Sequence, residues 1–459
     1  MSAEGLQAAI AKMRDAGVSP PAIEVFTHYY RQLEEGATGL IREADIEPLL
    51  GPPDVDQLDV DDDQAGDALA RTVMIKLNGG LGTSMGLDRA KSLLEVRDGM
   101  NFLDIVVAQV RWARKHYGVR LPLLFMNSFR TREDAARALA KYPDLAVEGL
   151  PLDFLQNREP KLLADTLMPA EWPADPTLEW CPPGHGDLYP ALSGSGVLDA
   201  LIERGFRYAS VSNGDNLGAA PDARIAGWFA ESGAPYAAEV CVRTANDRKG
   251  GHLAIRRADG QLILRDTAQT APEEMDYFTD EHRHPYFHTN NLWFDLVVLR
   301  DTLVERNSVL GLPLIRNEKT LDPADPSSPK VVQIESAMGA AVEVFPGATA
   351  ICVGRDRFLP VKTTNELLLL RSDVFELGDD ARLRQVSGSL PSVSLDKHFK
   401  LVDEFSRRIP HPLSLRDAVG LDVTGDVTFG EGVRVVGDVT LHADEPTHVA
   451  DGTVLGAGR

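Results

Sequence analysis

The chain has 459 residues, 43% apolar and 25% charged, which is ordinary for a folded protein and excludes disorder over its bulk. That length exceeds what a single hydrophobic core sustains, so two or three domains are expected. With 47 Lys and Arg against 69 Asp and Glu, the formal net charge is −22, a field that disfavours nucleic acid as a partner, and no apolar run reaches the ~20 residues needed to cross a membrane.

Met1-Ser2-Ala3-Glu4-Gly5 has neither the basic start nor the apolar stretch of a secretory signal. Residues 1 to about 40 read as helical, with Ala22, Ile23, Val25, Phe26 and Tyr29 at helical spacing after Pro20-Pro21. Gly51 to Gly66 is rich in Asp and Pro and reads as a solvated connector. Val73 to Leu77 is a short apolar run feeding Asn78-Gly79-Gly80, the pattern of a buried strand entering a glycine loop. A helix is expected over Phe102 to His116, and a second buried strand over Leu121 to Met126. A short helix follows from Thr131 to Lys141, with Thr131 and Asp134 spaced as a capping box. Val197 to Arg204 reads as helix and Tyr208 to Ser212 as a third buried strand. This alternation predicts an α/β domain with a largely parallel sheet covered on both faces, whose ligands bind beyond the carboxyl ends of the strands. His252 to Asp266 reads as a hairpin turning at Asp259-Gly260, and Asp322 to Lys330 as a loop. Near the C-terminus, Leu421, Val427, Val433 and Val439 recur every six residues, and Val423, Phe429, Val435 and Leu441 follow two behind. That period predicts a parallel β-helix; a set of ordinary hairpins is the alternative. Cys181, Cys241 and Cys352 are odd in number and far apart, which argues against a disulfide framework or zinc knuckle and fits a reducing cytoplasm.

Four segments have the composition that chemistry needs. Leu77 to Gly86, followed by Lys91-Ser92, leaves a strand as phosphate loops do, and its glycines let backbone N–H groups approach an anion. Met85 stands where a dinucleotide fingerprint needs its third glycine, and Ala90 where a Walker loop needs one, so both familiar loops are excluded. Pro182-Pro183-Gly184-His185-Gly186-Asp187 builds a rigid loop that fixes His185. Ser212-Asn213-Gly214-Asp215-Asn216 ends the third strand with a carboxylate, Asp215, of the kind that holds Mg²⁺ together with substrate phosphates. In Arg357 to Thr364, Pro360 forces an extended stretch ahead of Lys362. Taken singly, each segment also reads as a structural turn or a solvated surface group.

Together, in this order and with Thr289-Asn290-Asn291-Leu292-Trp293 between the last two, they resemble the eukaryotic-type UTP–glucose-1-phosphate uridylyltransferase (UDP-glucose pyrophosphorylase) family. The likeness runs from about residue 70 to the C-terminus. Thr83-Ser84-Met85-Gly86 favours this family over the related N-acetylhexosamine pyrophosphorylases. The chain departs from the family's usual pattern at Arg89-Ala90, where Gly-Pro is usual, and at Ser336-Ala337-Met338; neither departure removes a charged group.

The resemblance implies a glycosyltransferase-A-like, Rossmann-like mixed sheet over 67–399, preceded by the helical segment and acidic connector of 1–66. It also implies a C-terminal left-handed β-helix over 400–459, which leaves both a homo-oligomer contact and a self-contained cap open. It implies UTP and glucose 1-phosphate as substrates, UDP-glucose and pyrophosphate as products, and Mg²⁺ as cofactor. Carried over by position, the backbone of Leu77, Asn78, Gly79 and Gly80 holds uracil and the nucleotide, and Gln156 reads the base. Lys91 binds the UTP phosphates, Gly184 contacts the nucleotide and His185 the sugar phosphate. Asn213 and Asp215 meet substrate, Asp215 also binding the metal. Asn290 and Glu335 bond glucose hydroxyls, and Lys362 sits over the reacting phosphates. A broad-specificity UDP-sugar pyrophosphorylase is the nearest alternative. A non-catalytic nucleotide-sugar binder is another, against which the joint presence of Lys91, Asp215 and Lys362 argues.

Overall fold

A computed structural model describes residues 2–244, 247–248 and 250–456. Seven strands make the central sheet: β1 (Thr72–Asn78), β2 (Leu123–Asn127), β3 (Asp153–Leu155), β4 (Tyr208–Asn213), β5 (Tyr236–Val242), β6 (Tyr286–Asp295) and β7 (Thr349–Cys352). Their spatial order is β3-β2-β1-β4-β6-β5-β7. All run parallel except β6, which is antiparallel to both neighbours.

The strands read as continuous apolar runs because both faces are covered. Side chains alternate along β1 and β2. Val73, Ile75, Leu124 and Met126 join one core with Phe26, Leu188 and Leu299, whereas Met74, Leu123 and Phe125 join another with Val106, Val110 and Phe229. The helix expected over Phe102 to His116 is present as Phe102–Tyr117. Asn101 and Asp104 form its capping box, and Gly118, at φ 67°, ends it in the left-handed conformation that glycine adopts freely.

After β1 the chain crosses to β2 on one side, and β4 lies on the other. This reversal of direction opens a crevice between two neighbouring strand ends, where open α/β sheets bind ligands. Asn213 at the end of β4 is in register with Leu77 at the end of β1, so the first and third predicted motifs start side by side. On the other flank of β4, the β5–β6 pairing is irregular. Val240 is opposite His288 and Ala238 opposite Leu292, so Glu239 alone faces Thr289, Asn290 and Asn291. Asn290 takes φ 61° in this bulge. Bulges of this kind re-aim side chains beside functional sites.

The predicted hairpin is His252–Arg256 with Leu262–Arg265, turning at Gly260, and Ile46–Pro48 adds a third strand to it. The loop before Lys330 joins Ile315–Thr320 to Lys330–Glu335. In the C-terminal region, Ser392–Leu395, Ser414–Thr424, Arg434–His442 and Val454–Leu455 pair in that order, all parallel, as do Val427–Phe429 and Thr447–Val449. Leu421 is opposite Val439 and Val423 opposite Leu441, three six-residue steps on, and these side chains lie in or against the core. Hairpins would pair antiparallel, so they do not account for this repeat.

Two local expectations are corrected. The acidic stretch is more than a solvated connector: Asp62–Ala70 is a helix, capped by Asp61, that buries Ala65, Ala68 and Leu69. Asp61 accepts from the N–H groups of Asp63 and Gln64, and Asp62 and Asp63 in the first turn favour the helix dipole, so the charge that suggested a linker instead starts a helix. The Thr131–Asp134 capping box is also absent ahead of the helix Arg132–Leu139. The Thr131 hydroxyl donates to Asn78 O (2.7 Å), and Asp134 accepts from the N–H of Ala90 (3.2 Å). Both side chains are drawn to the two ends of the segment that carries the glycine loop.

Candidate active site

The crevice between β1 and β4 is a cleft of about 530 Å³. Its lining includes Leu77, Asn78, Gly79 and Gly80 from the glycine loop, Lys91, Gln156, Gly184 and His185, and Asn213 and Asp215. These segments are up to 138 residues apart in sequence, and the sheet brings them to one place. Asn290, Glu335 and Lys362 are outside that lining.

The floor is set by the ends of β1 and β2. Asn78 donates to Asn127 (2.7 Å), which donates to Asp153 (3.1 Å), so the carboxyl ends of β1 and β2 are tied to each other and to the first residue of β3. Gln156 Nε2 donates to Gly184 O (2.9 Å). Its amide orientation is therefore fixed, with Oε1 presented as an acceptor beside Gly79; a Cβ at Gly79 would lie 2.9 Å from that oxygen. An acceptor held over a glycine floor suits a flat base with an N–H on its edge.

The histidine loop is clamped from both sides. Asp187 accepts from the Asn157 N–H (2.6 Å) and side-chain amide (2.9 Å), and Gly186 N–H donates to Ser336 O (2.8 Å). Burial pushes the Asp187 carboxyl up to about 7. Gly184 takes φ 76°, and a Cβ there would lie 2.6 Å from Ser336 O. His185 Nδ1 accepts the Met338 N–H (2.9 Å). A backbone N–H only donates, so the ring is the neutral tautomer with its proton on Nε2. Burial lowers its pKa to about 4, which keeps it in that form. Glu335 is next to this loop and accepts from Asn317 (3.0 Å).

The cationic wall follows. Lys91 Nζ donates to Asp215 Oδ2 (2.5 Å) and to Val361 O. Two of the three ammonium protons are thus used and one remains for an anion. Pro360 bridges Asn216, and Asn216 Oδ1 accepts the Leu359 N–H (2.8 Å), so the segment ending in exposed Lys362 is pinned beside the Asp215 loop. Of the two adjacent asparagines on β6, Asn291 is turned inward: it donates to Glu239 (2.9 Å) and accepts from Asn216 (3.0 Å). Asn290 is half-buried, and its N–H donates to His288 Nδ1 (3.1 Å).

A profile of the UTP–glucose-1-phosphate uridylyltransferase family matches residues 23–435. The chain belongs to this family. It is similar to the UTP–glucose-1-phosphate uridylyltransferases of Saccharomyces cerevisiae (39% identity; 91% of this chain, 83% of the relative) and Hordeum vulgare (39%; 84% and 81%). Among solved structures it resembles a point mutant of UDP-glucose pyrophosphorylase from Leishmania major in complex with UDP-glucose. That match has a TM-score of 0.92 and 43% identity, and covers 98% of each chain. A Trypanosoma brucei structure titled UDP-glucose phosphorylase matches at TM-score 0.90 and 40% identity, again over 98% of each chain.

Sequence reasoning missed the polar groups buried beneath this uridylyltransferase-family cleft. Lys76 on β1 is fully buried and donates to Ser212 Oγ (2.7 Å) and Ala219 O (2.7 Å). Desolvation first, and then the nearby Arg357 charge, lower its pKa to about 7. Glu239 on β5 is fully buried against Arg357. The signal was present as one charged residue inside an apolar run, in Met74-Ile75-Lys76-Leu77 and Ala238-Glu239-Val240. A strand buried on both faces holds such a group only when it is satisfied.

Proposed function

We propose that the protein transfers uridylyl from UTP to glucose 1-phosphate, giving UDP-glucose and pyrophosphate. The family membership supports the reaction, and the meeting of Lys91, Asp215 and the Val361–Lys362 segment at the mouth of the cleft carries the reading. The sugar phosphate is already ionised at neutral pH, so its oxygen attacks the UTP α-phosphorus without a general base, and pyrophosphate leaves in line. The obstacle is repulsion between two anions, and the remedy is positioning together with fixed positive charge.

In this reading, Gln156 Oε1 accepts the uracil N3–H, because its Nε2 is turned to donate to Gly184 O. The backbone of the Leu77–Gly80 segment receives the nucleotide. Lys91 gives its remaining proton to a UTP phosphate, and His185 Nε2–H donates to the sugar phosphate. Lys362 approaches the reacting phosphates from the adjoining segment. Asn213 meets substrate at the end of β4, while Asn290 and Glu335 bond sugar hydroxyls.

Mg²⁺ belongs to the same reading. Among the described residues there is no group of three or more His, Cys, Asp or Glu side chains arranged for a metal. Asp215 would hold Mg²⁺ as a single protein carboxylate beside its Lys91 partner, as that ion commonly uses one or two carboxylates together with substrate phosphates. When bound, the ion neutralises phosphate charge.

The parallel C-terminal strands with a six-residue period support a left-handed β-helix over 400–459, after the catalytic domain of 67–399. Three unpaired cysteines support a cytoplasmic setting. The test is pyrophosphate release with UTP and Mg²⁺ on glucose 1-phosphate, galactose 1-phosphate and N-acetylglucosamine 1-phosphate. Strong preference for the first is expected. Comparable rates on several sugars would move the chain to the broad-specificity branch, and no release on any would overturn the reading.

A further inference from the structure

We infer that Glu239 is a positioning residue, holding the Arg357–Lys362 segment beside the Asp215 loop so that Lys362 stands at the distance catalysis needs. The inference rests on the reaction proposed above. It starts from an arrangement that stability alone does not call for. Glu239 is fully buried in the sheet, two-residue steps from Ala237 and Cys241, where an apolar residue would serve the core. Replacing a buried ion pair by packed apolar groups is often neutral or stabilising, so its presence asks for another reason.

Its carboxylate accepts four hydrogen bonds from three side chains. Arg357 donates twice, Nε to Oε2 (3.0 Å) and Nη2 to Oε1 (2.6 Å). Trp293 Nε1 donates to Oε1 (2.9 Å) and Asn291 Nδ2 to Oε2 (2.9 Å). The two-pronged grip fixes the guanidinium plane as well as its position. Arg357 Nη1 donates to Ala220 O (2.8 Å), beyond the Asp215 loop. Its own carbonyl accepts from Asn216 (3.1 Å) and Asn291 (3.2 Å). Asn216 Oδ1 then takes the N–H of Leu359 (2.8 Å) and of Gly218 (3.2 Å). Glu239 is therefore the hub at which β5, β6, the loop after β4 and the segment after β7 are joined. That last segment carries Val361 O, a Lys91 partner, and then Lys362.

The bulge in β6 serves the same end. Placing Thr289, Asn290 and Asn291 opposite Glu239 alone lets Asn291 reach the carboxylate while Asn290 is half-exposed. Thr289 Oγ1 bonds Glu239 O (2.7 Å) and so pins the bulge to the same residue.

The test is a double-mutant cycle on the full chain. Wild type, Glu239→Gln, Lys362→Ala and the double variant are assayed for UDP-glucose formation, with kcat and KM for UTP separated. Glu239→Gln keeps the shape and removes the charge that grips Arg357. Its kcat is expected to fall by roughly 10²-fold, the scale of a 1 Å misplacement, with KM within threefold. In the Lys362→Ala background the same change is expected to lower kcat less than threefold, because the group it positions is already gone. Losses that multiply across the cycle, or a folded Glu239→Gln variant with wild-type kcat, would overturn the inference. Should Glu239→Gln not fold, Asn216→Ala breaks the tether without stranding a buried charge, and it must show the same masking by Lys362→Ala. A wild-type protein that makes no UDP-glucose would refute the proposed reaction itself, a result distinct from either of these.

Discussion

Gly218 offers a steric test of the cleft that changes no charge and no hydrogen-bonding group. A Cβ at this position would lie 2.4 Å from Asp356 O, 2.6 Å from Arg357 C and 2.8 Å from Phe358 N. All three are backbone atoms, so no side chain can swing aside. Gly218 has no positive φ, and the added methyl brings crowding without backbone strain. To restore an ordinary contact of about 3.4 Å, the 356–358 backbone and the Asp215 loop must separate by about 1 Å. Lys362 is four residues beyond Phe358 and moves with it. A displacement of that size near a reacting centre lowers the rate by about 10²-fold, or about 2.7 kcal/mol in the barrier. Overpacking of this kind lowers stability by about 1–3 kcal/mol, which is tolerable for a folded enzyme. Gly218→Ala is therefore expected to melt a few degrees early and to lose about 10²-fold in kcat, with KM for UTP little changed. Gly66→Ala, in open space on the helix Asp62–Ala70, is the matched control and should leave kcat at the wild-type value. A folded Gly218→Ala variant turning over within twofold of wild type would refute the link between this segment's position and the chemistry.

Other outcomes are expected on the same grounds. Lys362→Ala should lower kcat by roughly 10²–10³, the scale of one well-aimed charge, and near-normal turnover would remove it from the mechanism. Gln156→Ala should weaken the preference for UTP over CTP by roughly tenfold or more, raising KM for UTP while kcat holds, as competition assays would show. Lys76 enters through stability. Its folded-state pKa, near 7, is below the unfolded value of 10.5, so between these limits the unfolded chain binds the extra proton and stability rises with pH. Lys76→Met removes that term. Its stability advantage over wild type in denaturant titrations should be greatest below pH 7 and shrink towards pH 10.5; a constant difference would contradict the burial argument.

The sequence was legible where physics is local. Apolar runs such as Val73–Leu77 announce strands, and Asp259-Gly260 announces its turn, because pleat and turn chemistry are written within a few residues. The cleft was legible through its motifs, since ten of the residues carried over by resemblance line it. What sequence reading missed is non-local. That Thr131 caps the end of β1 rather than its own helix depends on a carbonyl 53 residues away. Lys76, Glu239 and Arg357 look out of place in their own strands and segments and acquire a role only when β4, β5 and β6 are side by side. Strand order and the antiparallel setting of β6 are likewise products of tertiary pairing.

The bulge in β6 divides one strand into two independent halves. Leu292 to Asp295 hold the register with β4 and supply core side chains, while Thr289 and Asn291 are committed inward. Asn290 stands between them at φ 61°, outside both duties, at a conformation an asparagine or glycine takes more readily than a branched residue. An evolving or engineered lineage can therefore vary this single position without renegotiating the sheet. The tolerance is narrow in chemistry, to small polar residues that accept the left-handed backbone, and it leaves the sheet untouched, since a change there alters only the surface beside the bulge while the strand pairing on either side is kept.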